Sequence, residues 1–398
     1  MNLREKSWLL DAERPTPPPA RAALEGLSPS TLMEIPSATR LLGLSPDARP
    51  GAALSLARWE SALLAPARRF FSAPGKALRG EVVKLGWLLA MASQEAAEGQ
   101  NTGSREAGSR ACPAALPTLI ELVHGGSLII DDIEDDSETR RGQPCVHKQI
   151  GLARALNLGN WLYFVSASMI EEAAEDQAAQ ARLYQRFNQV MLRCHQGQAL
   201  DLSFQVNDLD RAELAPLAAS CARLKTGALV GLAMELGALT LGAPRALGAA
   251  LYTFGEEIGV ALQMYDDLSG VLNPARWHKG CEDFARARPT WVWAWLAGDE
   301  RVDDQRFAAL RGELNQLADR ERSLRALTGD PVWFSAAGAL RLRCAEHLGE
   351  RAGELERRLD GALASLNEAL CRALPATAPA TLTRGAHQLI ERLKVSYL

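Results

Sequence analysis

Aromatic residues make up only 6% of this 398-residue chain, against a hydrophobic total of 47% carried largely by alanine and leucine. That balance argues against sheets, which favour β-branched and aromatic side chains, and for packed helices. Charge of one sign is scarce too. The 44 Lys and Arg against 48 Asp and Glu leave a net charge of -4, with none of the basic excess that marks nucleic-acid binding. The seven cysteines, at 112, 145, 194, 221, 281, 344 and 371, are odd in number and never form a CxxC pair, so the usual zinc and disulfide patterns are excluded. No uncharged apolar run reaches the roughly 18 to 20 residues of a membrane span. The opening MNLREKSWLLDAERPTPPPA has neither the apolar core of a signal peptide nor the acid-poor character of a transit peptide. The expectation is an all-α cytoplasmic protein with no transmembrane segment.

Residues 1–48 are rich in Pro, Ala and Arg and read as a disordered or extended tail, leaving 49–398 as one all-α domain. From about residue 50 onward, apolar residues recur at helical spacing, broken by Pro and Gly. The breaks predict helices over 51–64, 77–95, 114–135, 151–174, 178–205, 211–240, 245–271, 289–298, 303–327, 332–370 and 379–396. GQNTGSREAGSR at 99–110 reads as a surface loop. No strand alternation stands out.

The richest segment is HGGSLIIDDIEDDSETRRGQPCVH, where an apolar helix runs into a cluster of carboxylates. At about 100° per residue, Asp131 and Asp135 lie about 40° apart and Asp132 about 60° beyond Asp135. Carboxylates so crowded repel unless a cation joins them, and oxygen-only ligands suit Mg²⁺, which completes its shell with water and substrate phosphates. A solvated helix end would look similar in isolation. Two features weigh against it: the cluster follows an apolar helix body, and Arg140 and Arg141 follow as a doublet suited to phosphate oxygens. A second acidic site, IGVALQMYDDLSGVL, places Gln263, Asp266 and Asp267 within about 100° of one another on a predicted helix. Facing clusters of this kind on opposite walls of a bundle suit a metal-bridged diphosphate.

In order and spacing, GKALRG at 75–80, ELVHGGSLII before DDIEDDSETRRGQPCVH, GQALD at 197–201, KTG at 225–227 and QMYDD at 263–267 resemble the trans-isoprenyl diphosphate synthases, or polyprenyl synthetases. The resemblance covers residues from about 50 to 300 and implies a single large helical bundle around a deep central cavity, the isoprenoid synthase fold, and a homodimer. It implies a Mg²⁺-dependent prenyltransferase, in which an allylic diphosphate ionises and the double bond of isopentenyl diphosphate attacks the cation. Asp131, Asp132, Asp135, Asp266 and Asp267 would hold the metal. Arg140, Lys225 and Lys279 would surround the allylic diphosphate, while Lys76, Arg79, His124 and Arg141 would hold isopentenyl diphosphate. Thr226 and Gln263 would place oxygen dipoles near the cation. His147, Gln198 and Asp201 match motif positions and are taken as supporting residues, and Trp277, Trp291, Trp293 and Trp295 as helix packing.

Two departures stand out. The second motif ends on Gly270 where the family carries a fifth-position Asp, and NPARWHKGCEDFARARPTW differs from the commoner pattern, which leaves Lys279 and Asp283 provisional. In the family, a bulky aromatic four or five residues before the first Asp stops the chain at farnesyl length. Gly126 and Ser127 stand there, and Val123 lies further down, so a C20 product such as geranylgeranyl diphosphate is expected, with Trp161, Tyr163 and Phe164 available to close the tunnel. Two other readings compete. A terpene cyclase of the same fold has no use for Lys76, Arg79, His124 and Arg141, and a non-catalytic regulatory subunit has no need of the intact first motif.

Overall fold

The computed structural model describes residues 57–73, 78–98, 111–324, 330–373 and 384–392. Its helices are α1 (Ala65–Ser72), α2 (Leu78–Glu98) and α3 (Ala115–Glu134), followed by the strands β1 (Thr139–Arg140) and β2 (Gln143–Pro144). There follow α4 (Val146–Ile150), α5 (Leu152–Ala173), α6 (Gln177–Ser203), α7 (Leu214–Ala222), α8 (Ala228–Leu241), α9 (Arg245–Leu272), α10 (Trp277–Ala285), α11 (Trp291–Gly298), α12 (Asp304–Leu324), α13 (Pro331–Ala345) and α14 (Arg351–Ala373). The proposed tail at 1–48 and Lys76 lie outside the described residues, as does the side chain of Lys279.

The chain is all-α, as its composition implies. The centre is α8, where every residue from Ala228 to Ala238 is buried. It packs on α2, α6 and α9, while α3 lies along α5 and α14 lies along α9. The stretch Arg211–Leu241 is long and apolar enough to cross a membrane by length and composition alone, yet its most apolar window is 67% buried inside the bundle. Glycines bring backbones together at the centre. A Cβ on Gly237 would stand 2.5 Å from Cα of Trp87 on α2, and one on Gly86 would collide with the carbonyl of Met234.

Several predicted boundaries shift for physical reasons. The expected helix 211–240 is α7 and α8 joined by a π-turn, Arg223–Gly227. The expected helix 332–370 breaks at 346–350 into α13 and α14. Among the described residues, one strand pair falls where no alternation was visible: β1 and β2 are two residues each, too short to show a period. Between them Arg141 and Gly142 both have positive φ, 53° and 75°. These are the central residues of the tight turn that matches the twist of a hairpin.

Candidate active site

The first motif closes α3, and its three aspartates have different surroundings. Asp131 Oδ1 accepts from Lys225 Nζ at 2.9 Å and from Gln198 Nε2 at 3.0 Å. Lys225 also reaches Asp201 Oδ2 on α6 at 3.0 Å. Burial pushes the Asp131 carboxyl up, but the charge and hydrogen bond of Lys225, with Gln198 and Arg140, hold it below the ordinary carboxylate range. For the same reason Lys225, though partly buried, is held above its ordinary value by Asp131 and Asp201. Asp135 Oδ1 takes Arg288 Nη2 at 2.8 Å and lies 3.6 Å from Arg286 Nε. Arg288 also donates to the carbonyl of Asp201.

Asp132 is not brought to this group. It is 1% exposed, pairs with Arg140 of β1, and burial pushes its carboxyl up. Asp131 and Asp135, one turn apart, share a face, whereas Asp132 faces the hairpin.

On the opposite wall, Asp266 pairs with Arg276. Asp267 is buried, with Oδ1 accepting from Gln263 Nε2 at 2.8 Å and Oδ2 from the Trp291 backbone N–H at 2.9 Å. Burial, with the charges of Asp283 and Asp201 nearby, pushes its carboxyl up to about 8. Thr226 donates to Gln263 Oε1 at 3.0 Å. The path Asp131, Lys225, Thr226, Gln263, Asp267 therefore joins the two motifs through the π-turn, a helical irregularity that recurs at functional sites. Gly270 is buried against α10, where a Cβ on Gly280 would meet its carbonyl at 2.5 Å. That position serves helix contact.

Among the described residues, no three His, Cys, Asp or Glu side chains are drawn together closely enough to hold a metal ion as placed. The donors nevertheless suit a hard divalent ion: Asp131, Asp135 and Asp266 offer oxygen only. Each is matched by a lysine or arginine.

The other basic group lies between α2, α3 and the hairpin. Half-buried His124 has its imidazole held well below its ordinary value by burial and by the charges of Arg79, Arg141 and Arg140. Arg141 Nη1 donates to the carbonyl of Ala73 at 3.1 Å and its guanidinium lies 5.9 Å from the Phe70 ring centre. A pocket beside it is lined by Arg69, Phe70, Asp132, Arg140 and Arg141, among others.

Below the first motif, a Cβ on Gly126 would stand 2.9 Å from the Gly159 carbonyl and 3.2 Å from Tyr163, so its smallness also serves the α3–α5 crossing. Ser127 donates to the His124 carbonyl at 2.9 Å. The Tyr163 ring stacks edge-on against His195 at 5.6 Å, and its phenol feels Glu134 and Asp131. Phe164 turns outward at 78% exposure and closes no tunnel within this chain. Trp291, Trp293 and Trp295 are packed in the core, as expected.

The profile of the polyprenyl synthetases matches residues 60–322, well over half of the chain. The chain belongs to the polyprenyl synthetase family. It is 34% identical over 174 residues to a geranylfarnesyl diphosphate synthase of Aeropyrum pernix, covering 43% of this chain and 53% of that one. To a geranylgeranyl pyrophosphate synthase of Hericium erinaceus it is 30% identical over 245 residues, covering 56% and 66%. The chain thus spans about half to two thirds the length of these curated relatives. A polyprenyl synthase of Caulobacter crescentus, solved with calcium and isoprenyl diphosphate, shares the fold at a TM-score of 0.57 and 22% identity, over 83% of this chain and 88% of that one.

Sequence reasoning missed Arg288, Arg286 and Arg276 and gave Asp201 only a supporting place. Asp201 links Lys225 and Arg288 and so joins α6 to both walls. The available signal was DFARARPT, two arginines spaced by one residue after an acid.

Proposed function

We propose that this polyprenyl synthetase is a prenyltransferase that condenses isopentenyl diphosphate with an allylic diphosphate, lengthening the chain by five carbons. The observation that carries this reading is the presence of two separate basic groups. One is interleaved with the aspartates, Lys225 meeting Asp131 and Arg288 meeting Asp135; the other gathers around His124, on which Arg79, Arg141 and Arg140 act. The first would receive the allylic diphosphate. Mg²⁺ held by Asp131, Asp135 and Asp266 would neutralise charge on the departing diphosphate. As the allylic C–O bond breaks, the diphosphate takes the electron pair, and Lys225 and Arg140 offer fixed positive charge to it. Thr226 and Gln263 line the same wall with oxygen dipoles. The second group would hold isopentenyl diphosphate so that its double bond faces the cation, which a cyclase does not need.

The small residues Gly126 and Ser127 and the stacked Tyr163 and His195 support a geranylgeranyl product. In the assay, purified protein with isopentenyl diphosphate, an allylic primer and Mg²⁺ should release diphosphate and build a C20 chain, and chelation should stop it. A hydrocarbon product with no elongation would favour the cyclase instead.

A homodimer is supported by the outer faces of α5 and α6. Leu152, Leu156 and Phe164 of α5 and Leu192 of α6 are large apolar side chains left exposed on these two helices, and exposed apolar surface marks interaction sites. Sedimentation velocity should give a dimer that Phe164→Glu converts to monomer; a wild-type monomer at micromolar concentration would remove this reading.

A further inference from the structure

The condensation makes no use of Glu256, a carboxylate of α9 that is only 7% exposed. A buried ion pair adds little net stability over apolar side chains of the same shape, so this charge calls for another role. Its partners come from two other elements. Glu256 Oε1 accepts from Arg193 Nη2 of α6 at 2.8 Å, and its Oε2 lies 3.4 Å from Nη1 of Arg223, the first residue of the π-turn. Arg223 Nη2 also donates to Glu257 Oε1 at 2.9 Å, so one guanidinium grips two successive carboxylates of α9. Two residues further on, the same turn carries Lys225, which meets Asp131 at 2.9 Å and Asp201 at 3.0 Å.

Glycines seat the turn between α6 and α9. A Cβ on Gly197 of α6 would stand 2.7 Å from the Lys225 backbone nitrogen, and one on Gly259 of α9 would stand 2.7 Å from Gly227 Cα. Along α6, Arg193, Gly197 and Asp201 follow at four-residue steps; along α9, Glu256, Gly259, Gln263 and Asp267 follow at steps of three and four. Each row therefore runs down one side of its helix, with an ion pair at one end, a backbone contact in the middle and a residue of the site at the other end.

We propose that Arg223 and Glu256 are positioning residues for Lys225: their ion pair holds the π-turn in its glycine slot and so fixes where the Lys225 ammonium meets the diphosphate. This rests on the elongation reading above and deepens it. Backbone contacts at Gly197 and Gly259 stop the turn from moving inward, but contact alone does not stop it from moving out. Arg223 supplies the inward pull. A π-turn is a rare form that its surroundings must hold, and the four-carbon stem of lysine is flexible, so a loosened turn leaves the ammonium without a fixed place. Arg193 holds Glu256 from the α6 side, which keeps the acceptor of Arg223 in place. Misplacing a charged group by about 1 Å can cost on the order of a hundredfold in rate, and a turn that is loosened rather than expelled costs less.

The test is a double-mutant cycle on the full chain. Glu256→Gln keeps the shape and loses the charge, and its two arginines are partly exposed, so water can take up the lost contacts. It should lower kcat about tenfold and leave the KM for isopentenyl diphosphate within about twofold. Arg223→Gln should act in the same direction, and Arg223→Lys should recover part of the loss. In a Lys225→Ala background, Glu256→Gln should change kcat by less than about twofold, because a residue that acts through Lys225 has nothing left to position. Calorimetry of Mg²⁺-dependent inorganic diphosphate binding should repeat the pattern: weaker for Glu256→Gln, and no weaker again once Lys225 is alanine. If Glu256→Gln does not fold, Arg223→Gln, whose side chain is half-exposed, carries the same cycle. The proposal is overturned if the folded variants keep wild-type kcat and diphosphate binding, or if their losses recur in full without Lys225, as a merely structural role requires. The expected binding cycle in a protein that elongates no primer would sink the elongation reading and leave Arg223 and Glu256 in their role.

Discussion

Asp131→Ala is expected to lower turnover on the order of a thousandfold, with the protein still folded. Asp131 is the first-motif carboxylate that Lys225 and Gln198 both meet, and Lys225 ties it to Asp201 of α6. Its removal would take away an oxygen proposed as a metal ligand and free Lys225 to close on Asp201 alone, so both supports proposed for the departing diphosphate would be lost. The loss should be in kcat with both substrates saturating, since the interaction strengthens as charge develops on the leaving group. Asp132→Ala should differ in kind. It leaves Arg140 partly buried without its carboxylate, and a stability loss should accompany any loss of rate. Measuring kcat against Mg²⁺ concentration for both variants decides the matter. An Asp131→Ala enzyme with near-wild-type kcat would remove Asp131 from the metal site.

The second large effect is structural. Gly237→Val is expected to cost about 3 kcal/mol or more, enough to leave much of the protein unfolded or insoluble. The atoms that a side chain at 237 would meet are Trp87 Cα at 2.5 Å and Trp87 N at 2.8 Å, and backbone cannot swing aside as a flexible side chain can. The α2–α8 crossing is made from both directions, with Gly86 pressed on the Met234 carbonyl. The contrast is Gly361 on α14, where a Cβ would meet nothing within 4 Å. Gly361→Ala should stabilise by about 0.5–1 kcal/mol through helix propensity alone. Urea unfolding of the two variants measures the difference. Equal stability of Gly237→Val and wild type would mean that the crossing is looser than described.

How much of this was readable from the chain depends on whether the signal was local. Helix content was legible because apolar residues recur at about 3.6-residue spacing and Pro and Gly interrupt them. The break at 346–350 was not, since Gly349 in an otherwise helical run does not by itself end a helix. The hairpin carried a tight-turn dipeptide, Arg141–Gly142, but its strands were too short to announce themselves. In the site, Asp131 and Asp135 were legible as neighbours on one helical face. That Asp132 turns to the hairpin depends on what covers its side of α3, which no helical wheel contains. Arg288 meets Asp135 across 153 residues of chain, a pairing that only the packed bundle creates. Gly270 was visible as a departure, but its reason, the approach of α10, was not.

The π-turn at Arg223–Gly227 has a consequence for how α7 and α8 relate. An α-turn closes over four residues and a π-turn over five, so the rod continues while its angular phase slips by roughly one residue, about 100°. Upstream, the phase is set by α7 packing on α11; downstream, α8 is dry on every side from Ala228 to Ala238. Without the slip, one phase would have to satisfy both neighbourhoods and also aim Lys225 at Asp131. The inserted residue uncouples these demands, so the direction of the charged side chain is set independently of the hydrophobic register on either side of it.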